Sequence, residues 1–160
     1  MSDMHIVRRG TPPPPPPPPW GDDTPYYWEG EEFVDVTGGW IPGNSVATSS
    51  QSKESNHFFL SAVGTLSYST YVTANKIDAS DLQTIYIDVD IYDITDNRFE
   101  FGFFDNADGA ANPISRLTRN STTSGREILS LDVSSVTGSY YLSCLVRGAK
   151  ARVYRMWGEE

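Results

Sequence analysis

The stretch Leu82 to Tyr92, LQTIYIDVDIY, constrains the fold more than any other part of the chain. Ile85, Ile87, Val89 and Ile91 are branched and apolar, whereas Tyr86, Asp88, Asp90 and Tyr92 between them are amphipathic or charged. A period of two suits an extended strand, which sends alternate side chains to opposite faces. β-Branched and aromatic residues also pack well on a pleated, half-buried surface. Arg98 to Phe104 (RFEFGFF) repeats the pattern with Phe99, Phe101 and Phe103. The turn-forming run Asp93 to Asn97 between them predicts an antiparallel hairpin at the centre of a β-sandwich.

The remaining segments supply partner strands. Phe33, Val34 and Val36 predict a short strand ended by Gly38 and Gly39, and Asn44 to Ser55 reads as a serine-rich surface loop. His57 to Val63 is apolar on both faces, as a doubly covered strand is. Tyr68 to Ala74, Arg126 to Val133, Gly138 to Val146 and Ala151 to Trp157 complete the strands. No segment has a helical period, and short strands at regular spacing predict an all-β, antiparallel, jelly-roll-like sandwich.

Residues 1–25 are different in kind. Pro12 to Pro19 are consecutive prolines, each fixing its own φ and pushing its predecessor away from the helical region. Polyproline II follows, a rod of roughly 25 Å that cannot join a sheet. It reads either as a stiff spacer or as a docking rod laid in an aromatic-lined groove on a partner. The chain therefore divides into an N-terminal arm, 1–25, and a β-sandwich domain, 26–160.

Charge and cysteine usage narrow the function classes. The net charge is −9, of which residues 1–20 carry +1 through Arg8, Arg9 and Asp3, leaving −10 on the rest. Such a body is a poor start for nucleic-acid binding, whose affinity comes largely from clustered cations. The basic cluster Arg147, Lys150, Arg152 and Arg155 reads as a charged edge strand resisting edge-to-edge pairing. Cys144 is the single cysteine and reads as a small buried hydrophobe. With only His5 and His57 beside it, no zinc site of Cys and His ligands can be assembled, and no cofactor or metal is expected. No apolar run is long enough to span a bilayer and no signal-peptide core is present, so synthesis in the cytoplasm without membrane insertion is expected.

Catalytic constellations are equally sparse. Asp105, Asn106 and Asp108 before Gly109 suggest a calcium loop, but an EF-hand needs an acid where Phe104 stands. Asn120–Ser121–Thr122 fits a glycosylation acceptor, which means little without a secretory signal. Asp88 and Asp90, about 6.5–7 Å apart along one strand face, with Glu100 opposite, have the spacing of glycosidase carboxylates. Such an enzyme needs one carboxyl desolvated enough to hold a proton, and Arg98 would more simply pair with these aspartates. A non-enzymatic protein is expected. The same residues, Tyr86, Asp88, Asp90, Tyr92 and Glu100, instead form a candidate glycan-binding face, where rings stack on sugar C–H faces and carboxylates accept hydroxyls. Exposed tyrosines serve equally in protein interfaces, or simply as a solvated sheet exterior.

With these residues laid out, residues 26–40, 71–92, 128–146 and 151–160 resemble small jelly-roll domains of Firmicutes phages and prophages. The likeness is carried by the turn TGGW (37–40), the entry ANKID (74–78), the pair LDVSSVTGSYY (131–141) and the final strand VYRMW (153–157). Such domains occur in minor structural and tail-region proteins and are similar in layout to carbohydrate-binding modules. The resemblance covers residues 26–160 and implies a virion structural protein; the arm departs from a bare module and is expected to tether it to capsid or tail through Ile6, Val7, Arg8, Arg9, Pro12, Pro19 and Trp20. Its domain is then expected to meet host-surface polysaccharide, with avidity from many copies or a homo-oligomer on the particle. The alternative is a capsid-decoration, head-fibre or tail-adaptor protein that binds no glycan. An exported accessory module of a glycan-degrading enzyme fits less well without an export signal.

Overall fold

The computed structural model describes residues 25–46, 49–64, 67–95, 98–120 and 123–160. The proposed anchoring residues Ile6, Val7, Arg8, Arg9, Pro12, Pro19 and Trp20 lie outside that set, as do Ser121 and Thr122 of the glycosylation motif. In chain order the elements are β1 (Tyr26–Glu29), a helical turn α1 (Val34–Thr37), β2 (Trp40–Pro42), β3 (Ser49–Lys53), β4 (Phe58–Ala62), β5 (Tyr68–Thr73), β6 (Ile77–Asp78), β7 (Thr84–Tyr92), β8 (Arg98–Phe104), β9 (Pro113–Asn120), β10 (Gly125–Asp132), β11 (Ser139–Arg147) and β12 (Ala149–Glu159). They form two antiparallel sheets. The first has the order β10-β7-β12-β4-β3, with β1 on β12; the second has the order β2-β5-β11-β8-β9, with β6 on β11. The expected antiparallel β-sandwich is therefore observed.

The alternation in β7 does what its period requires. Ile85, Ile87 and Val89 are 0 % exposed and Ile91 3 %, all turned into the core. Phe99, Phe101 and Phe103 of β8 meet them from the second sheet, with Leu142, Cys144 and Val146 of β11 beside them. Burying each large apolar side chain contributes about 1.5–3 kcal/mol. Cys144 is fully buried, and burial pushes its thiol well above the ordinary range, so it acts as packing. Trp40 closes one end of the core, its ring 5.0 Å from Phe58 and its indole N–H donating to the Tyr27 carbonyl at 3.0 Å.

The expected hairpin does not form. β7 pairs with β10 and β12, whereas β8 pairs with β11 and β9, so the two strands lie in different sheets. Two strands that each bury one apolar face can meet face to face across the core as well as edge to edge. Here they meet across it.

Three further expectations are corrected. Val34 to Thr37 is a helical turn rather than a strand, stopped by Gly38 at φ +72°, whose amide donates to the Val34 carbonyl at 2.8 Å. The serine-rich loop contains β3, paired along its length with β4. The basic residues of β12 are not on an edge, because β7 lies on one side of β12 and β4 and β1 on the other. Lys150, Arg152 and Arg155 instead lie opposite Asp93, Asp90 and Glu29 at 3.0, 3.3 and 3.2 Å.

The two outer faces differ. On the second sheet, residues 105–112 fold back over the strands. Asn44 donates its amide to the Asp108 carbonyl at 2.8 Å, and Ser143 donates its hydroxyl to the Gly109 carbonyl at 2.7 Å. Beneath them Thr70, Val72 and Ser143 are 0 % exposed. Outward side chains of the first sheet, among them Tyr86, Asp90, Tyr92, Lys150, Arg152 and Tyr154, are half-buried, and Ile128 is exposed.

Candidate functional site

The open face of the first sheet gathers most of the side chains singled out from sequence. Tyr86, Asp88, Asp90 and Tyr92 all project from β7 on the side opposite its apolar residues. β12 adds its own row. A register shift between Val153 and Arg155 bulges the strand, so the successive residues Tyr154 and Arg155 both serve this face.

Each aromatic ring on the face has a specific neighbour. Tyr86 stacks on Trp157 with centroids 5.3 Å apart and planes 14° apart, and its hydroxyl donates to Glu159 at 2.9 Å. The Arg152 guanidinium lies 4.3 Å from the Tyr92 ring centre, and that of Arg126 lies 3.9 Å from the Tyr154 ring centre. Such cation–π contacts fix both partners at about 0.5–1 kcal/mol or more each. His57 reaches the same tyrosine at 5.6 Å. Burial and then the Arg152 charge lower its pKa, which favours the neutral ring. The result is a pre-ordered surface of ring edges, phenol hydroxyls and guanidinium forks.

The carboxylates behave differently from the sequence reading. Asp88 is 1 % exposed, and Arg126 of β10 grips it with two bonds of 2.9 Å, from Nε to Oδ1 and from Nη2 to Oδ2. A carboxylate so held is a poor acceptor for ligand hydroxyls. Asp90 is half-buried and accepts from Arg152 Nη1 at 3.3 Å. Arg98, expected to pair with these aspartates, lies on the other sheet.

Glu100 is not opposite the aspartates. It sits on the outer face of the second sheet, because β7 and β8 belong to different layers, and it is 4 % exposed. Thr118 donates to Glu100 Oε1 at 3.3 Å, Arg98 Nε lies 3.3 Å from the same oxygen, and Arg116 Nη1 lies 3.7 Å from Oε2. Four of the five candidate binding residues thus share one face, and the fifth belongs to a separate cluster.

Sequence reasoning missed Arg126, Arg152, Tyr154 and Trp157 on the open face. For Arg152 and Tyr154 the signal was present, since they alternate with the inward Ala151 and Val153. For Arg126 there was none, because its partner Asp88 is 38 residues away. In the loop suggestive of calcium, the acids serve turns: Asp108 Oδ1 accepts the amides of Ala110 and Ala111 at 2.8 and 2.9 Å. Among the described residues no group of three or more His, Cys, Asp or Glu is placed to hold a metal ion.

No protein-family model matches the chain. No curated protein matches it either. Among solved structures, the chain is similar to a low-affinity xylan-binding module of the gut symbiont Roseburia intestinalis, at 10% identity and a TM-score of 0.49, over 76% of this chain and 93% of that one. It is similar to a family 6 carbohydrate-binding module of Clostridium stercorarium, solved with cellobiose, at 13% identity and a TM-score of 0.46, over 76% and 93%. A third is the enzymatically active domain of a tailspike protein of bacteriophage CBA120, at 13% identity and a TM-score of 0.49. That match spans 81% of this chain but only 20% of the tailspike chain.

Proposed function

We propose that this chain is a non-enzymatic recognition module of a phage particle, whose first-sheet outer face contacts host-surface glycan while the arm, residues 1–25, joins it to the virion. The observation that carries the recognition reading is the asymmetry between the outer faces. One is covered in part by residues 105–112, over Thr70, Val72 and Ser143, and the other presents Tyr86, Tyr92 and Tyr154 among Arg126 and Arg152. Phenols and guanidiniums held in place before a ligand arrives lower the ordering cost of binding. In this reading the hydrogen bonds to sugar hydroxyls come from phenol and guanidinium groups, not from Asp88. The non-enzymatic part of the proposal is supported by the same residue, since Arg126 occupies both Asp88 oxygens and leaves neither free to meet a glycosidic oxygen.

A second reading, a decoration or adaptor protein with no glycan ligand, is favoured by the composition of the same face. Tyrosine, tryptophan and arginine also dominate the energetic centres of protein interfaces. A glycan array probed with the full chain displayed in many copies separates the two. Retention on a defined glycan that disappears in Tyr92→Ala supports recognition, whereas no retention on any glycan leaves the adaptor. Deleting residues 1–19 and measuring incorporation into particles tests the tether; normal incorporation of the shortened chain ends that part of the proposal.

A further inference from the structure

The cluster around Glu100, far from the tyrosine face, has no part in the reading above. Its geometry starts from strand register. On β8, Arg98 and Glu100 stand two residues apart on the outer side. On the adjacent β9, Thr118 stands opposite Glu100 and Arg116 opposite Gly102, so Arg116 approaches the carboxylate on the diagonal. Each carboxylate oxygen then faces a different guanidinium, Oε1 that of Arg98 at 3.3 Å and Oε2 that of Arg116 at 3.7 Å.

Burial sorts the charges by depth. The Glu100 side chain is 5 % exposed, against 37 % for Arg98 and 43 % for Arg116. One anion lies beneath and two cations lie above, so solvent meets a net positive spot. Arg147 of β11 stands directly opposite Arg98 in the ladder, adding a third cation to the same row. Like charges at directly opposed positions destabilise a sheet, and here they occur on a domain that is otherwise strongly acidic. A guanidinium carries five N–H donors in a planar fork, and one contact to Glu100 leaves most of that fork pointing elsewhere. Forks of this kind match the oxygens of carboxylates and phosphates.

We propose that Arg98 and Arg116, positioned by Glu100, form a binding site for an oxyanion, the carboxylate or phosphate of an acidic polysaccharide. The buried carboxylate is the positioning residue: it holds two like charges close together and is too deep to compete for the ligand's place. The site is independent of the tyrosine face and does not require that face to bind anything.

The test uses the full chain and three immobilised polymers: polygalacturonic acid for carboxylate, a glycerol-phosphate teichoic acid for phosphate, and dextran as a neutral control. Binding is measured at about 0.1 M salt, where acidic groups more than roughly 10 Å away are screened, and again at 1 M. The expected result is retention on at least one acidic polymer and not on dextran, lost at 1 M salt. Arg98→Ala and Arg116→Ala each lower affinity roughly tenfold, whereas Lys53→Ala, which removes an exposed cation on the other sheet, leaves it unchanged. Glu100→Gln loosens the hold on both arginines and weakens binding while keeping its unfolding midpoint; should it unfold, the two arginine variants decide. Equal retention on dextran, no retention on either acidic polymer, or indifference to both arginine substitutions overturns the proposal.

Discussion

At the scale of single residues, the most informative is Asp88. Its place in the alternation marks it as outward, and it is outward, yet it is nearly as buried as the isoleucines beside it, with Arg126 gripping both its oxygens. Strand periodicity reports which side of a sheet a residue takes, and it does not report what covers that side. Removing one member of such a pair leaves a charge without its partner, which costs more than the pair contributes. Asp88→Ala is therefore expected to lower stability by about 2–4 kcal/mol in urea unfolding with the m-value unchanged. It should also loosen Tyr154 by freeing Arg126. The tyrosines set a second expectation. Burial raises the pKa of Tyr27 and Tyr71, with Glu160 and Glu32 respectively adding to the shift. Unfolded tyrosines ionise near pH 10. Above that pH the unfolded chain therefore holds fewer protons than the folded one, so stability is intact below pH 10 and falls as pH rises. The tyrosinate absorbance of the buried Tyr27 and Tyr71 should then appear together with unfolding, and Tyr27→Phe should shift that unfolding to higher pH.

At the scale of elements, legibility depended on how much apolar burial a segment performs. β7, β8, β11 and β12 each bury a row of apolar side chains, and each was visible from its pattern. β3 (SSQSK) and β9 (PISRLTRN) are edge strands, each paired on one side only, and need few apolar residues. Their hydrogen bonds leave no trace in composition. The turn VDVT misleads in the other direction: its β-branched residues favour a strand, but Gly38 in a left-handed conformation ends a helical turn instead. The pairing partners of β7 were not legible at all, since the same apolar face fits a neighbour in its own sheet or one across the core. One glycine tests the cover over the second sheet. Gly109, at φ +71°, lies so close that an added Cβ would be 2.6 Å from Ser143 Oγ and 2.9 Å from Val72 Cβ. Gly109→Ala should lift residues 105–112 and speed hydrogen exchange at the Asn44 amide, which donates to the Asp108 carbonyl, while amides of β7 exchange as before.

For the whole molecule, the two-layer architecture was legible and its internal wiring was not. The candidate face was half legible: β7 announced its outward residues and β12 its Arg152 and Tyr154, whereas Trp157 lies beyond a bulge and the contribution of β10 depended on a partner distant in sequence. The boundary expected from sequence at Tyr26 can be tested directly. Removing residues 1–24 should leave the unfolding midpoint unchanged. Removing residues 1–29 takes Tyr27 and Trp28, 1 % and 2 % exposed, out of the core, and should destabilise by about 3–5 kcal/mol or more. Scanning calorimetry of the two truncations checks both statements.

The pairing of β1 with the last strand has a mechanical consequence. Pro25 accepts a bond from the Gly158 amide, and β1 then runs antiparallel to β12 through Glu29. Ladder hydrogen bonds lie across the strands, so a pull on the chain upstream of Pro25, directed along the strand axis, loads every bond of that short ladder together instead of peeling them in turn. A module held by its N-terminal end would meet drag with its grip in shear, the stronger of the two ways to load a ribbon.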